Sequence, residues 1–186
     1  EIDELVAVLL VLDKDSNVID YNIQKKVRAG GGQFGSTSLS VTLSNDKLLN
    51  EAQKLVKYLK CVGPVGVQFK FDDDDQQYKI MEINSRFSVG VSLAVGAGDN
   101  LPLGLIHDIN GERCPCNYNK KIGFYLWNPL TDLTFILSKK IFNDFRSNLS
   151  ILNKPKIVVP LDYSDLKPFK MQFVSIFKAM IKRVRG

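Results

Sequence analysis

The sequence has few of the residues that would support a disulfide scaffold or a zinc site. It contains three cysteines among 186 residues. Cys61 stands alone, and Cys114 and Cys116 are separated by a single proline, which suits neither a disulfide framework nor zinc-ligand spacing. No apolar run approaches the roughly 18 residues of a membrane span. We therefore predict reduced thiols, a cytoplasmic location and no transmembrane helix.

Histidine is almost absent, which limits the nucleophilic mechanisms available. His107 is the only one, so a Ser–His–Asp or Cys–His mechanism would have to use it. No nucleophile or partner acid is apparent near it in the sequence. We predict a structural role for His107.

Acidic residues are absent from the C-terminal segment. The net charge is +5, and residues 167–185 hold six lysines and arginines but no aspartate or glutamate. A solvated helix face is a more common cause of such a run than binding to nucleic acid or an acidic membrane. The aromatic residues of this segment have helical spacing, which predicts core contacts. We expect neither nucleic acid nor membrane as a partner, and dimerisation through this helix remains open.

Hydrophobic patterning predicts two hairpins and several helices. The apolar run 4–12, the turn-forming DKDSN and the strand-like 18–29 predict a first hairpin. Residues 44–60 have an apolar stripe typical of a helix. Residues 92–110 predict a helix broken near Gly98, and the chain ends in an amphipathic helix.

The second hairpin carries the most informative pattern. Its first strand alternates apolar and polar residues, and its second strand ends in YKIMEINSRF, so Glu82, Asn84 and Arg86 lie on one face. A turn near Asp75 would put Gln68 opposite Glu82, about 5 Å away. Carboxylate and amide oxygens suit Mg²⁺, and a guanidinium suits a phosphate. The alternative is a surface hairpin with an exposed polar face.

Two further motifs are weaker. Residues 30–35 match G-x-G-x-x-G, but a β-branched, Ser/Thr-rich segment follows them instead of a helix, so we predict a loop near phosphates and not a dinucleotide site. Residues 72–75 are four aspartates in a hairpin turn without EF-hand spacing, which predicts a solvated turn.

The run VQF…IMEINSRFSVGVSLAVGAGDNLP resembles the ATP-grasp superfamily, and most of all the large subunit of carbamoyl-phosphate synthetase and its stand-alone relatives. The resemblance covers residues 1–112 and implies an α+β fold with a mainly antiparallel sheet and packed helices. It further implies that residues 1–112 are the second lobe of an ATP-grasp domain whose first lobe is absent. Residues 113–186 would complete this lobe or form a small α/β appendage.

The resemblance also implies roles for individual residues. The ligands of Mg²⁺ or Mn²⁺ would be Gln68, Glu82 and Asn84. The contacts to ATP would come from Gly32, Gly35, Ser36 and Arg86, with Arg86 also the catalytic contact to the transferred phosphate. Arg28 would meet an anionic substrate.

The activity implied is that of an ATP- and Mg²⁺-dependent ligase forming carbon–nitrogen bonds. A small carboxylate would be phosphorylated to an acyl phosphate and attacked by an amine or similar nucleophile. The alternatives are a small-molecule kinase on the same fold and a non-catalytic nucleotide-binding module. Because the first lobe is missing, we expect residues 1–186 alone to be inactive.

Overall fold

The computed structural model describes residues 5–29, 36–112, 120–132, 150–159 and 164–185. The predictions for Gly32, Gly35, Cys114 and Cys116 lie outside these ranges. The strands are β1 (Leu5–Leu12), β2 (Val18–Ala29), β3 (Thr37–Thr42), β4 (Gly63–Asp72), β5 (Gln77–Asn84), β6 (Tyr125–Trp127) and β7 (Lys156–Val158). The helices are α1 (Asp46–Tyr58), α2 (Val91–Ala97), α3 (Leu101–Ile109) and α4 (Lys167–Arg185), with a 3-10 turn at Ser150–Asn153.

The strands form a seven-stranded sheet in the order β5-β4-β1-β2-β3-β6-β7. The β1–β2, β1–β4 and β4–β5 pairs are antiparallel, and β6–β7 is parallel. The predicted α+β class with a mainly antiparallel sheet is confirmed. The chain divides into two compact units, residues 1–26 with 41–124 and residues 27–40 with 125–186, which are described separately below.

In the first unit, α1 packs on one face of the sheet. Its N-cap is Asn45, whose side chain accepts a hydrogen bond from the backbone N–H of Leu48 at 3.0 Å. The buried positions of α1 meet inward-facing residues of β1, β2 and β4. The core comprises Val6, Val8, Leu10, Leu12, Ile23, Leu48, Leu49, Ala52, Val56, Val65, Val67 and Phe69. The predicted stripe of α1 is therefore the stripe that this helix buries.

The opposite face of this sheet is covered by α2 and α3. Leu9 and Val11 of β1 pack there against Ala94 and Leu101. The predicted break between the two helices is confirmed. Gly98 adopts a left-handed conformation with φ of 107°, and Asn100 caps α3 by accepting from the N–H of Leu103 at 3.2 Å.

The second unit is organised around a buried carboxylate. Asp132, 2% exposed, accepts hydrogen bonds from Ser38 Oγ and Trp127 Nε1, each at 2.9 Å. Arg28 Nη1 lies 2.9 Å from the same carboxylate. One acidic side chain thus joins residues from three strands of this unit.

The C-terminal helix forms as predicted, but two of its three aromatic residues do not pack in a core, and the third, Phe169, is half-buried. Phe173 and Phe177 are 51% and 55% exposed, so the prediction of core contacts was wrong. Helical spacing correctly groups them on one side, but spacing does not say whether that side is covered. No described helix is long and apolar enough to cross a membrane.

Candidate functional site

The register of β4 and β5 brings the predicted metal ligands together. Gln68 is paired with Glu82, and Gly66 is paired with Asn84, as the alternation and turn predicted. An irregularity follows between Gln68 and Phe69, so the register shifts toward the turn. Paired residues share a face of the sheet, so the three polar side chains lie on the face that also carries α2 and α3.

The three side chains form a small hydrogen-bonded cluster around one carboxylate oxygen. Gln68 Nε2 donates to Glu82 Oε1 at 2.5 Å, and Asn84 Nδ2 donates to the same oxygen at 2.6 Å. Glu82 is exposed, while Gln68 and Asn84 are half-buried. The carboxylate is therefore oriented by two neutral donors and remains open to water.

The donor chemistry of this cluster fits a hard divalent cation. It offers one carboxylate and two amide oxygens, and oxygen donors are what Mg²⁺ prefers. In this arrangement the amide nitrogens of Gln68 and Asn84 point at Glu82. Rotation of each terminal amide by half a turn would present its oxygen instead. Among the described residues no group of three His, Cys, Asp or Glu could hold a metal ion, so any site here would depend on amide oxygens.

Of the predicted ATP contacts, Arg86 and Ser36 are described. Arg86 follows β5 by two residues and is exposed, and its Nη1 donates to the backbone oxygen of Phe87 at 3.4 Å. Ser36 is exposed just before β3. Ser36 and Arg86 therefore keep accessible side chains, and their roles stay predictions.

A second polar cluster on the same face was missed by sequence reasoning. Asn22 and Gln24 of β2 lie across β1 from Gly66 and Gln68, because Leu9 pairs with both Asn22 and Gly66 and Ala7 pairs with both Gln24 and Gln68. Both β2 amides are 5% exposed. The alternation of polar residues in VIDYNIQ was the available signal.

The two β2 amides link the sheet to the helical side. Asn22 Nδ2 donates to Asp99 Oδ2 at 2.6 Å. Gln24 Nε2 donates to Asn22 Oδ1 at 2.8 Å and to the backbone oxygen of Gly90 at 2.7 Å. A Cβ on Gly90 would lie 2.4 Å from Gln24 Oε1. Glycine at this position gives the Gln24 amide the space that it occupies.

Asp99 is the most buried ionisable group of this second cluster. It is 1% exposed, and its Oδ1 has no hydrogen-bond partner among the described residues. Lys120 Nζ lies 3.6 Å from that oxygen and 2.9 Å from Asp20 Oδ1. Burial raises the pKa of Asp99, and the hydrogen bond from Asn22 and the charge of Lys120 oppose that rise.

Arg28, predicted to meet an anionic substrate, is 8% exposed and ion-paired with Asp132. Burial lowers the pKa of its guanidinium, and the charge of Asp132 opposes that shift. An anionic substrate would have to compete with this internal carboxylate.

His107 has a partner acid that sequence reasoning did not find. Its Nδ1 lies 2.6 Å from Glu112 Oε2, five residues along the chain and beyond the end of α3. This contact pairs His107 with an acid but with no Ser or Cys side chain that could act as a nucleophile. A structural role for His107 stays our prediction.

The acidic turn is exposed, as predicted. Lys79 lies 2.6 Å from Asp72 Oδ2 and also contacts Asp75. These contacts lower the pKa of Asp72 and raise that of Lys79. Part of the negative charge of the turn is therefore balanced by the ammonium group of Lys79.

Comparison with protein families supplies the decisive match. Residues 11–124 match the family described as "ATP-grasp in the biosynthetic pathway with Ter operon". The chain belongs to this ATP-grasp family. The match spans β4, β5, α2 and α3, and so includes both polar clusters. Comparison with curated proteins gave no match.

Solved structures with a similar fold include several carboxylases. Pyruvate carboxylase from Rhizobium etli has a TM-score of 0.53 at 16% identity, over 66% of this chain and 13% of that one. A complex of Campylobacter jejuni biotin carboxylase with a nucleotide has a TM-score of 0.52 at 15% identity, over 67% of this chain and 29% of that one.

A third similar structure is the biotin carboxylase domain of 2-oxoglutarate carboxylase from Hydrogenobacter thermophilus, in complex with MgADP, ADP and bicarbonate. Its TM-score is 0.51 at 15% identity, over 67% of this chain and 29% of that one. This ATP-grasp chain therefore spans less than a third of the length of these relatives, and the likeness concerns the fold.

Proposed function

We propose that this ATP-grasp chain is the second lobe of an ATP- and Mg²⁺-dependent ligase. The observation that carries the proposal is the cluster of Gln68, Glu82 and Asn84, held on one sheet face by the β4–β5 register. Its position within the matched family region supports the assignment. The domain extent proposed is residues 1–112, with residues 113–186 completing the lobe or forming an appendage.

In the proposed site, Gln68, Glu82 and Asn84 hold Mg²⁺ or Mn²⁺, which neutralises charge on the phosphates of bound ATP. Arg86 has an exposed guanidinium close behind these ligands in sequence, and it would contact the transferred phosphate. Gly32, Gly35 and Ser36 belong to the loop proposed to cover the phosphates.

The proposed reaction transfers the γ-phosphoryl group of ATP to a small carboxylate. The acyl phosphate formed is then attacked by an amine or similar nucleophile, which releases phosphate and creates a carbon–nitrogen bond. No protein nucleophile is needed, which agrees with the lack of a candidate triad in the sequence. Phosphoryl transfer depends on positioning and charge neutralisation, so both lobes should be required.

The proposed substrate specificity, like that of carbamoyl-phosphate synthetase, rests on sequence resemblance. The segments around Gln68 and Glu82–Arg86 resemble the large subunit of that enzyme. The three cysteines and their spacing favour a reducing, cytoplasmic setting for the ligase.

The test is release of ADP by the intact protein that contains this lobe, with small acids and amines screened as substrates. We expect Mg²⁺-dependent turnover that the Glu82→Gln variant loses, and no turnover from residues 1–186 alone. Turnover by Glu82→Gln at the unchanged rate would contradict the site assignment. A stable phosphorylated product without an amine requirement would identify a kinase, and nucleotide binding without turnover would identify a non-catalytic module.

A further inference from the structure

The C-terminal helix α4 directs large apolar side chains outward. Met171, Phe173 and Phe177 are 64%, 51% and 55% exposed. The Phe173 and Phe177 rings are stacked with centroids 6.4 Å apart. None of the α4 residues with described side chains, 167–178, is buried. Met171, Phe173 and Phe177 are therefore on the surface of the chain, whereas a helix of a globular domain usually buries its apolar stripe.

Contacts along a neighbouring stripe of the helix determine which of its side chains remain exposed. Phe169, Gln172 and Ile176 are the half-buried positions of α4, spaced as one helical stripe. Gln172 Nε2 donates to Thr131 Oγ1 at 3.0 Å within the second unit. The exposed aromatic side is thus a consequence of how the helix is anchored.

Positive charge accompanies the exposed aromatic residues. Residues 167–185 contain six basic residues and no acidic residue. Lys170 and Lys178 are exposed. Lys170 is three residues before Phe173, so its charge lies beside that ring. Lys178 directly follows Phe177 and lies about 100° further round the helix, on the adjoining exposed surface. The surface that includes residues 170–178 is therefore both apolar and cationic.

We propose that α4 docks in the plane of an anionic phospholipid membrane, with Phe173 and Phe177 inserted and the lysines at the phosphates. Charge complementarity favours this occupant, because an amphipathic helix rich in lysine and aromatic residues binds negatively charged bilayers. Lysine stems can lie along apolar surface while their ammonium groups stay with headgroups. Nucleic acid would satisfy the charges but would leave the apolar side chains of Met171 and Val174 in water.

This inference is independent of the proposed ligase activity. It departs from the sequence-based expectation of no membrane partner, because the structure exposes aromatic residues that spacing alone assigned to a core. It describes surface binding, which agrees with the finding that no described helix could cross a membrane.

The test is co-sedimentation of the full chain with two kinds of vesicle, one of phosphatidylcholine alone and one of phosphatidylcholine and phosphatidylglycerol in equal parts. We expect binding only to the anionic vesicles, weakened by added salt. Combining Lys170→Glu with Lys178→Glu should weaken binding at least about tenfold, since each cation near such a surface contributes roughly fivefold. Combining Phe173→Ser with Phe177→Ser should weaken it to a similar degree.

The matched control combines Lys47→Glu with Lys54→Glu on α1, where both lysines are exposed and the helix buries its apolar side. This control carries the same net charge as the α4 reversal, so equal losses from the two would overturn the proposal. So would absence of binding to anionic vesicles by the folded chain, tighter binding to an oligonucleotide, or self-association in solution that the two serine substitutions abolish. Circular dichroism checks that each variant is folded.

Discussion

Two polar clusters on one face of the sheet use the same chemical groups in different surroundings. Around Glu82, two carboxamides donate to a carboxylate that is open to water. Around Asp99, one carboxamide donates to a carboxylate that is 1% exposed, with Lys120 at 3.6 Å. The exposed cluster can exchange its internal hydrogen bonds for a ligand, whereas the buried cluster cannot be opened without unfolding its surroundings.

This contrast suggests that the buried cluster around Asp99 serves stability and that the exposed cluster around Glu82 serves binding. A buried charge must keep its partners, because leaving one unpaired is costly. An exposed carboxylate loses little when its partners change, because water replaces them. We therefore expect substitutions at Asp99 to lower the stability of the protein and substitutions at Glu82 to remove a function.

The largest expected effect is that of Asp99→Ala. It removes the acceptor of the buried Asn22 amide and one of the two carboxylates near Lys120, which keeps its 2.9 Å contact with Asp20. The free energy of unfolding should therefore fall by about 3 kcal/mol, mainly from the unsatisfied buried donor. Urea denaturation measures this loss. Asp74→Ala, at an exposed aspartate of the acidic turn, is the control and should change stability by less than about 0.5 kcal/mol. Equal effects of the two would remove the distinction between the clusters.

A smaller loss is expected from Gly90→Ala. Gly90 has φ of −62° and ψ of −14°, which alanine adopts readily, but its Cβ would lie 2.4 Å from Gln24 Oε1. Displacing that anchored amide should cost about 1–3 kcal/mol. In the double variant, Gln24→Ala makes room for the new methyl group and should recover part of this loss. Urea or thermal denaturation of both single variants and of the double variant measures the three losses of stability and tests the clash. Strictly additive losses would contradict it.

The buried cluster should also respond to pH. Burial raises the pKa of Asp99 above its ordinary value of 3.8. The unfolded state has the ordinary pKa of Asp99 and the native state has the raised one. Between them the native state binds more protons than the unfolded state, so the stability that Asp99 contributes falls as the pH rises through this window. Relative to Asp99→Asn, which cannot titrate, the wild type should gain stability as pH is lowered from 7 toward 4.

The comparison with Asp99→Asn cancels the contributions of the other carboxyl groups. Those of Asp13 and Asp72, whose pKa values are lowered, act in the opposite direction and are present in both proteins. A difference between the two proteins that is constant across pH 4–7, or one that grows in favour of the variant at low pH, would contradict the pKa assigned to Asp99.

The smallest expected effect on stability is that of Glu82→Gln. The substituted amide can still accept a hydrogen bond at the position of Oε1, and the side chain is exposed. We expect the free energy of unfolding to change by less than about 0.5 kcal/mol. A loss comparable to that of Asp99→Ala, measured in the same urea series, would mean that the exposed cluster has a structural role.

Sequence alone predicted the exposed cluster because its geometry is local. A tight turn and a period of two fix which residues of β4 and β5 face each other, so Gln68 opposite Glu82 needed no tertiary information. The α1 stripe and the break at Gly98 were predicted for similar reasons. Membership of the ATP-grasp superfamily was also accessible from the motif around Glu82–Arg86.

The buried cluster was not predictable because its members are distant in sequence. Asn22 and Asp99 are 77 residues apart, and Asp20 and Lys120 are 100 residues apart. Their proximity depends on how α2 and α3 pack on the sheet, which periodicity does not encode. The same limit explains the error at Phe173 and Phe177, since a helical stripe shows which residues share a side but not what covers them.

The most direct test of the proposed metal site is paramagnetic broadening of backbone amide resonances by Mn²⁺ in this chain. We predict broadening centred on Gln68, Glu82 and Asn84 that is lost in Glu82→Gln. The acidic turn at residues 72–75 is the internal alternative, since it carries more carboxylates. Broadening confined to that turn and unaffected by Glu82→Gln would contradict the assignment of the exposed cluster as the metal site.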